Sequence, residues 1–321
     1  MTELIAVTAA TGHLGRRIAA RLADRGVTQR LVVRDPTRAP RLPGADIVVA
    51  AYESDAFSPA VRGVGTLVLI SASEARDRVS LHTAAIDAAV AAGVRRIVYV
   101  SFLGAAADAT FTFARDHWHT EEHLRRSGLA HTILRDSLYL DVLPYFATLA
   151  SEASGSVATL ASEASGSAAT LASEASGSVA GRDGVLRGPA GDGRVAAVAR
   201  DDVADVAVAV ACAEDDRHDA RTYDLTGPQA MTMGDVAAEL SRAAGRPVTY
   251  HAETLEEAYA SRAHYGAPDW EVAGWVTSYA AIATGEMDVV TDAVSTLAGH
   301  APMSLSDFLR VYPESVAHLR A

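Results

Sequence analysis

The stretch LIAVTAATGHLGRRIAARLADRG, residues 4–26, decides the fold. An apolar strand segment runs directly into a glycine turn, and an amphipathic helix follows. A dinucleotide fingerprint requires this order, because the first helical turn offers free backbone N–H groups and a positive dipole end to a pyrophosphate. The alternative is a strand–helix turn that needs its glycines only for tightness. We predict a nucleotide site formed by Thr11, Gly12, His13, Leu14 and Gly15.

The two glycines of this turn have different predicted roles. Gly12 lets the backbone approach the phosphates, and Gly15 lets the helix pack closely on the strand. The usual G-x-x-G-x-x-G pattern has a third, earlier glycine, where this chain has Ala9. The methyl group of Ala9 narrows the space beside the adenosine ribose.

Short apolar runs alternate with helical patterns as far as Leu134, which is typical of repeated βαβ units. The helices carry punctuation: Ser58-Pro59 as cap and first residue, and Gly93 and Gly128 just past helix ends. We predict an α/β fold in which residues 1–136 form a Rossmann-like, doubly wound parallel sheet in the order 3-2-1-4-5-6. The predicted strands are Leu4–Val7, Arg30–Val33, Asp46–Val49, Thr66–Ile70, Arg96–Val100 and His131–Leu134.

Residues 137–321 have a looser pattern, which predicts a smaller, mixed C-terminal lobe that binds substrate and completes the fold. Thr254 and Glu257 have the spacing of a capping box. The other predicted elements are a hairpin around GVLRGPAGDGRV (184–195), a helix begun by Asp201-Asp202, a strand at Thr222–Leu225, and helices from Gly234 and Thr254.

An 11-residue unit is repeated in tandem within residues 147–180: ATLASEASGSV, ATLASEASGSA and ATLASEASGSV. This period keeps one leucine per copy on a single helical stripe, so a helical arm is one interpretation. The glycine and hydroxyl residues of each copy disfavour a helix. We favour the other interpretation, a duplication tolerated as an insertion in a surface loop.

The composition excludes several classes of protein. The net charge of −12 and pI of about 5.3 argue against a nucleic-acid partner, which would require a basic face. No apolar run approaches the roughly 18 residues of a membrane span, and the chain enters its first strand without a basic leader region. We therefore expect a cytoplasmic protein. The single cysteine, Cys212, lies in an apolar helical pattern and is predicted to be a packed thiol.

Residues after strands two to four refine the nucleotide site. Arg34 stands where NAD-specific proteins carry an acidic residue, and its guanidinium suits a 2′-phosphate, with Arg38 as an assisting group. Arg34 therefore favours NADPH as the cofactor, although NADH remains open. The alternative is that Arg34 is an ordinary surface arginine beside Asp35. Tyr52 is predicted to flank the adenine. Ser71 and Ala72 are predicted to lie under the nicotinamide ribose, because ligands gather at the carboxyl ends of parallel strands.

Seven blocks of this sequence together resemble the NmrA-like family of atypical short-chain dehydrogenases, and within it the type 2 NAD(P)H:quinone oxidoreductases. The resemblance covers nearly the whole chain except the repeat. It implies either a reductase of quinone-like or azo-type acceptors or a non-catalytic redox sensor that binds a protein partner. The blocks are TAATGHLGRRIA, LVVRDP, GVGTLVLISASE, AAIDAAVAAGVRRIVYVSFLGA, DHWHTEEHLRRSGLAHTILRDSLYLD, GPAGDGRVAAVARDDVADVA and YDLTGPQAMTMGDVAAELSRAAGRPVTY.

The catalytic Tyr-x-x-x-Lys of ordinary short-chain dehydrogenases is replaced here by Phe113 and His117. Phe113 cannot protonate the strongly basic alkoxide that a ketone gives. Hydride addition to a quinone gives a weakly basic anion instead, which favours a small aromatic or quinone-like substrate. Direct hydride transfer from the nicotinamide requires no flavin, and we expect neither a flavin nor a metal. We predict that His117 donates to the nicotinamide ribose or to the acceptor oxygen. The alternative is a helix-start histidine satisfied by Asp116.

The acceptor pocket is predicted at the ends of strands five and six, where the family binds substrate. An aromatic slot suits a flat acceptor. An equally open interpretation is that Phe102 and Tyr139 fill the cleft between the lobes. The sequence also leaves open whether the protein forms a homodimer and whether it is instead a biosynthetic isomerase or reductase. The predicted pocket residues are Ser101, Phe102, Leu103 and Tyr139.

The histidines of DHWHTEEH are not predicted to bind zinc. His117, His119 and His123 are spaced i, i+2 and i+6, so they do not share one helical face. Glu121 is interpreted as a first-turn carboxylate that interacts with the helix dipole. We therefore predict no metal site.

Overall fold

A computed structural model describes residues 3–149 and 183–320. Apart from Ala147–Leu149, the tandem repeat lies outside the described residues, so its interpretation as an inserted loop stays a prediction. The strands are β1 Ile5–Thr8, β2 Gln29–Val33, β3 Ala45–Val49, β4 Thr66–Ile70, β5 Arg96–Phe102, β6 Ala130–Asp136, β7 Ala147–Leu149, β8 Gly184–Gly188, β9 Arg194–Val195, β10 Arg221–Leu225, β11 Met231–Thr232 and β12 Val248–Ala252.

The α-helices of the described residues alternate with these strands in the first half and cluster towards the C-terminus. They are α1 His13–Asp24, α2 Phe57–Ala60, α3 Arg78–Ala92, α4 Thr112–Arg126, α5 Arg200–Ala211, α6 Met233–Ala244, α7 Leu255–Arg262, α8 Asp269–Ala283, α9 Ala293–Ala298, α10 Leu305–Val311 and α11 Ala317–Arg320.

Seven strands of the described chain form one parallel sheet in the order β10-β6-β5-β4-β1-β2-β3. The predicted α/β class and the 3-2-1-4-5-6 order of the first six strands are confirmed. The strand predicted at Thr222–Leu225 also exists, as β10, and it extends the sheet beside β6. A segment of the C-terminal half therefore completes the Rossmann-like sheet.

Both faces of the sheet are covered. Along β4, Leu67 and Leu69 are buried on one face, and Val68 and Ile70 are buried on the other. Helices α2, α3 and α4 pack on the first face, and α1, α5 and α9 pack on the second. Two-sided burial explains why the strands read as continuous apolar runs rather than as alternating patterns.

The described residues of the C-terminal half contain two small sheets besides β10. In one, β8 lies between antiparallel β7 and parallel β12; in the other, β9 pairs with β11. The predicted hairpin at residues 184–195 is therefore wrong, because β8 and β9 pair with different partners. A Cβ atom on Gly188 would lie 2.4 Å from the Tyr279 ring, and one on Gly193 would lie 2.1 Å from the carbonyl oxygen of Ile282. These glycines allow close packing on α8 instead of making a turn.

Most of the predicted helix punctuation is confirmed. Gly93 and Gly128 have φ values of 76° and 79°, and Thr254 with Glu257 forms a capping box. The Ser58-Pro59 start is wrong: α2 begins at Phe57. The ring of Phe57 is fully buried against the edge of Tyr52, with 5.6 Å between ring centroids, so packing fixes the start of this short helix.

The single cysteine, predicted to be a packed thiol, lies at the C-terminal end of α5. Cys212 is the C-cap of α5 and is partly buried, and burial raises the pKa of its thiol.

Across residues 3–149 and 183–320, no helix combines the length and apolar character needed to cross a bilayer.

Candidate active site

The turn between β1 and α1 has the geometry of an anion-binding site. Helix α1 begins at His13 with Gly12 as its N-cap, and in the described chain no side chain caps this end. Its first backbone N–H groups are therefore available to an anion. The turn is closed by a hydrogen bond of 2.9 Å from the Gly12 N–H to the Ala9 carbonyl oxygen.

The backbone of this turn limits the side chains that fit at positions 15 and 9. A Cβ atom on Gly15 would lie 2.3 Å from the Ala9 carbonyl oxygen, so this position has no room for a side chain. Ala9 itself has a φ of 47°, in the left-handed region where a glycine relieves strain. The substitution of alanine for the usual glycine is therefore accommodated as backbone strain in this turn.

A cavity of about 570 Å³ extends from this turn along the carboxyl ends of the strands. Ser71 and Ala72 after β4 lie beside the turn residues, as the switch-point geometry of such sheets requires. The structure brings together most of the predicted site residues in this lining. They are Thr11, Gly12, His13, Leu14, Gly15, Arg34, Tyr52, Ser71, Ala72, Phe102, His117 and Tyr139.

One end of the cavity lies beyond β2 and β3. Arg34 is exposed on its rim, and Asp35 accepts from the Thr37 N–H at 2.9 Å instead of pairing with Arg34. The Arg38 side chain is not part of the lining. Tyr52 is anchored by a hydrogen bond of 2.5 Å to the Ile70 carbonyl oxygen, and burial raises its pKa to about 12. This end can offer a guanidinium and an aromatic wall to an adenosine.

At the other end of the cavity, the loop after β4 is held by two buried side chains of α3. The Ala72 N–H donates to His82 Nε2 at 2.8 Å, and Arg78 Nε donates to the Ala72 carbonyl oxygen at 2.9 Å. Burial lowers the pKa of His82 well below its usual value, so the ring is neutral and accepts this bond. The loop that contains Ser71 and Ala72 is therefore fixed by its hydrogen bonds to α3.

His117 lies on α4, buried, with both ring nitrogens in contact with protein groups. Its Nε2 is 3.0 Å from Arg78 Nη2, and its Nδ1 is 2.9 Å from the Tyr99 hydroxyl. A guanidinium can only donate, so Nε2 accepts and the ring proton is on Nδ1. Burial, reinforced by the charge of Arg78, lowers the pKa of His117 well below its usual value.

This geometry differs from the predicted role of His117 as a hydrogen-bond donor. The ring is neutral, and its one N–H faces Tyr99 rather than the cavity. Its partners also differ from the alternative, in which Asp116 satisfies it. The group that can donate into the cavity at this point is Arg78, which His117 holds in place.

Aromatic side chains line the cavity next to His117. The ring centroids of Phe102 and Phe111 are 5.1 Å apart, and those of Phe111 and Phe113 are 5.5 Å apart. Trp275 of α8 and Tyr139 also belong to the lining. Aromatic side chains from the end of β5, from the start of α4 and from α8 therefore form an aromatic slot.

Two predicted pocket residues and one predicted carboxylate lie elsewhere. Ser101 and Leu103 are buried outside the cavity lining; Ser101 Oγ donates to Glu121 at 2.6 Å. Glu121 lies well inside α4, not in its first turn, and it is fully buried. It accepts from Arg135 at 2.6 Å and from Arg125 at 2.9 Å, so it is a buried ion-pair partner and not a dipole-capping group.

The sequence and the structure of this chain match known NAD(P)H-binding proteins. A family model described as NAD(P)H-binding matches residues 9–155. Quinone oxidoreductase 2 of Escherichia coli (strain K12) is 32% identical over 321 residues, which cover 98% of each protein. The chain belongs to the NmrA-like, NAD(P)H-binding family.

A second relative and a solved structure are also similar to this NmrA-like chain over nearly its whole length. NAD(P)H azoreductase of Xenophilus azovorans is 27% identical, with 96% of this chain and 98% of the relative covered. The structure of the NADPH complex of an NADPH-dependent quinone oxidoreductase from Escherichia coli superimposes with a TM-score of 0.76 at 30% identity, covering 99% of this chain and 100% of the other.

The residues of this NmrA-like protein fit a dinucleotide. The uncapped start of α1 can hold the diphosphate, Arg34 and Tyr52 flank one end, and the anchored loop at Ser71 borders the other. Across the described ranges, no three or more His, Cys, Asp or Glu side chains are arranged to hold a metal ion.

The sequence analysis missed several buried polar residues of the NmrA-like site, among them Arg78, Asp136 and Arg200. All three are buried and line the cavity. Asp136 ends β6, so its position at the carboxyl end of a parallel strand was a signal that could have found it. Arg78 and Arg200 begin helices, and nothing in the local sequence distinguishes them from surface arginines.

Proposed function

We propose that this NAD(P)H-dependent oxidoreductase reduces a flat, quinone-like or azo-type acceptor with NADPH, without a Tyr-x-x-x-Lys pair. When bound, NADPH supplies the hydride. The chain's own contribution is to hold the dinucleotide along the strand ends and to place an aromatic acceptor in the slot formed by Phe102, Phe111, Phe113 and Trp275. His117 contributes as a positioning residue for Arg78.

The observation that carries this proposal is the continuity of the cavity. The dinucleotide groove at Gly12 and the aromatic slot at Phe113 belong to one cavity of about 570 Å³. Such a slot binds flat rings by stacking and apolar burial with few polar contacts. A cofactor that lies along the groove therefore ends where a flat acceptor can stack on it.

The test is NADPH oxidation, followed at 340 nm, with a panel of acceptors and no added flavin. We expect the purified protein to reduce simple benzoquinones and naphthoquinones and to leave unactivated ketones unreduced. The second expectation follows because Phe113 stands where ketone reducers have the tyrosine of the Tyr-x-x-x-Lys pair, so the proton donor that a basic alkoxide requires is missing from that position.

Two outcomes contradict this proposal. If NADPH binds but no quinone is reduced, the chain is a dinucleotide-binding sensor rather than a reductase. Efficient turnover of an unactivated ketone would show that the absence of the tyrosine does not restrict the acceptor.

NADPH preference is a separate prediction, based on the exposed guanidinium of Arg34 at the cavity rim. An Arg34→Asp change should weaken NADPH binding by about 1–3 kcal/mol and spare NADH, because it removes charge-assisted hydrogen bonds to the 2′-phosphate. Calorimetric titration with both cofactors measures the two affinities.

The matched control for this prediction is Arg41→Asp, which makes the same charge change at an exposed residue outside the cavity lining. It should leave the ratio of NADPH to NADH affinity unchanged. Equal affinity of the unaltered protein for NADPH and NADH would refute the predicted preference.

A further inference from the structure

A buried carboxyl and a phenol meet in the cavity lining. Asp136 is the last residue of β6 and is 4% exposed, so its carboxyl is largely shielded from water. The Tyr139 hydroxyl donates to Asp136 Oδ2, and both residues line the cavity. The pair therefore places an exchangeable proton at the wall of the acceptor slot.

The phenol is held rigidly in this position. The Leu140 N–H donates to the Val198 carbonyl oxygen at 2.9 Å, and the Val198 N–H donates back to Leu138 at the same distance. Arg200 lies with Cζ 3.9 Å from the centre of the Tyr139 ring. The two backbone bonds fix the main chain on both sides of Tyr139, and the ring cannot turn away without losing its contact with Arg200.

The order of the strands decides which part of the cofactor this pair faces. Arg34 follows β2 on one side of β1, whereas Asp136 ends β6 on the other side. A dinucleotide whose diphosphate lies at Gly12 spans both halves of the sheet, with adenosine on one side and nicotinamide on the other. Because the Arg34 guanidinium marks the adenosine side, Asp136 and Tyr139 lie on the nicotinamide side.

We propose that Tyr139 is the proton donor to the reduced acceptor and that Asp136 supplies its proton. The inference rests on the proposed reductase function. Hydride transfer oxidises NADPH to NADP⁺ and leaves a hydroquinone monoanion. The Tyr139 O–H bond breaks as an O–H bond forms on that anion, the Asp136 proton moves to the tyrosinate oxygen, and the Asp136 carboxylate takes up a proton from the solution after product leaves.

The groups around the pair give this step a pH dependence. Burial raises the pKa of Asp136 to about 7, although Tyr139, Arg200 and Arg78 all act in the opposite direction. Burial, the charge of Asp136 and that of Asp141 keep the pKa of Tyr139 well above its usual value, against the effect of Arg200. Below pH 7 a protonated Asp136 can donate to Tyr139, which leaves the phenol proton free for the acceptor.

The first test compares Tyr139→Phe with Tyr312→Phe. Tyr312 donates to Asp201 at 2.7 Å outside the cavity lining, so it is a matched tyrosine–aspartate pair. We expect Tyr139→Phe to lower kcat for quinone reduction about 100-fold, the usual contribution of a positioned general acid, with NADPH affinity unchanged. Tyr312→Phe should keep the activity of the unaltered protein.

The second test is Asp136→Asn. Above pH 7, kcat of the unaltered protein should fall about tenfold per pH unit as Asp136 ionises, whereas the Asn variant should show no such fall. A readout without cofactor is stability. Because burial raises the folded pKa of Asp136 to about 7, its contribution to the free energy of unfolding is fully present below the usual carboxyl pKa and is lost as pH rises from there to about 7; Asp136→Asn should remove this dependence.

The outcomes separate this inference from the function on which it rests. If the unaltered protein reduces no quinone, the proposed function fails and this inference fails with it. If it reduces quinone and Tyr139→Phe keeps its kcat, or Asp136→Asn keeps the alkaline decline, the proposed function stands and the proton-donor role is overturned.

Discussion

Gly15→Ala should destabilise the protein by about 3 kcal/mol and weaken NADPH binding with it. The added methyl group would lie 2.3 Å from the carbonyl oxygen of Ala9 and 2.9 Å from the Cα of Ala10, so only a backbone shift relieves the overlap. That shift would separate α1 from β1 and move the N–H groups that hold the diphosphate. Denaturant unfolding and calorimetric titration with NADPH measure the two effects.

The matched control is Gly234→Ala in the first turn of α6. A Cβ atom there would meet only the Thr232 hydroxyl oxygen at 3.6 Å, an ordinary contact. Alanine favours a helix over glycine, so this variant should be neutral or stabilised by up to about 1 kcal/mol. Wild-type stability and NADPH affinity in Gly15→Ala would show that the turn adjusts at little cost.

His117→Ala should lower kcat/KM for quinone reduction by about 10- to 100-fold, or roughly 1.4–2.7 kcal/mol. The change removes the acceptor of Arg78 Nη2, so the guanidinium is no longer held in the cavity wall. It also removes a buried ring packed on Phe102, with centroids 6.2 Å apart, so stability should fall as well. Steady-state kinetics and thermal unfolding measure the two effects.

Rescue and a neighbouring histidine separate positioning from loss of packing. His117→Gln offers an amide oxygen to Arg78, so it should recover part of kcat/KM. His123→Ala removes a histidine of the same helix that bonds Asp87 at 2.7 Å and lies outside the cavity, and it should keep full activity. If His117→Ala is less stable but fully active, His117 has a structural role only.

The sequence predicted the frame of this site because local rules decide it. The spacing of Gly12 and Gly15 after an apolar strand determines a turn in which backbone and helix must approach closely, and the structure has that approach at Ala9. Apolar runs separated by helical patterns likewise predicted βαβ units, and the strand order followed from the fold class that such units form. The glycine turn and the alternation of elements both depend on residues that are near one another in the chain.

What the sequence could not show depends on partners far along the chain. Whether His117 donates or accepts is decided by Arg78 on another helix, and Glu121 is buried because Arg135 reaches it from β6. The hairpin prediction failed for the same reason, since Gly188 and Gly193 face α8. Burial and pairing across the fold set these roles, and local pattern does not record them.

The late position of β10 in the chain has a consequence for synthesis on the ribosome. Strand β6 has a partner on only one side until residues 221–225 emerge, and α1 lacks the Asp205 that pairs with Arg21 at 2.7 Å until α5 has been made. A nascent chain that has just completed β6 therefore presents an open strand edge and an uncovered apolar face. Such intermediates are aggregation-prone. Because β10 is made late, we expect folding of the sheet to be completed only after most of its strands have been translated.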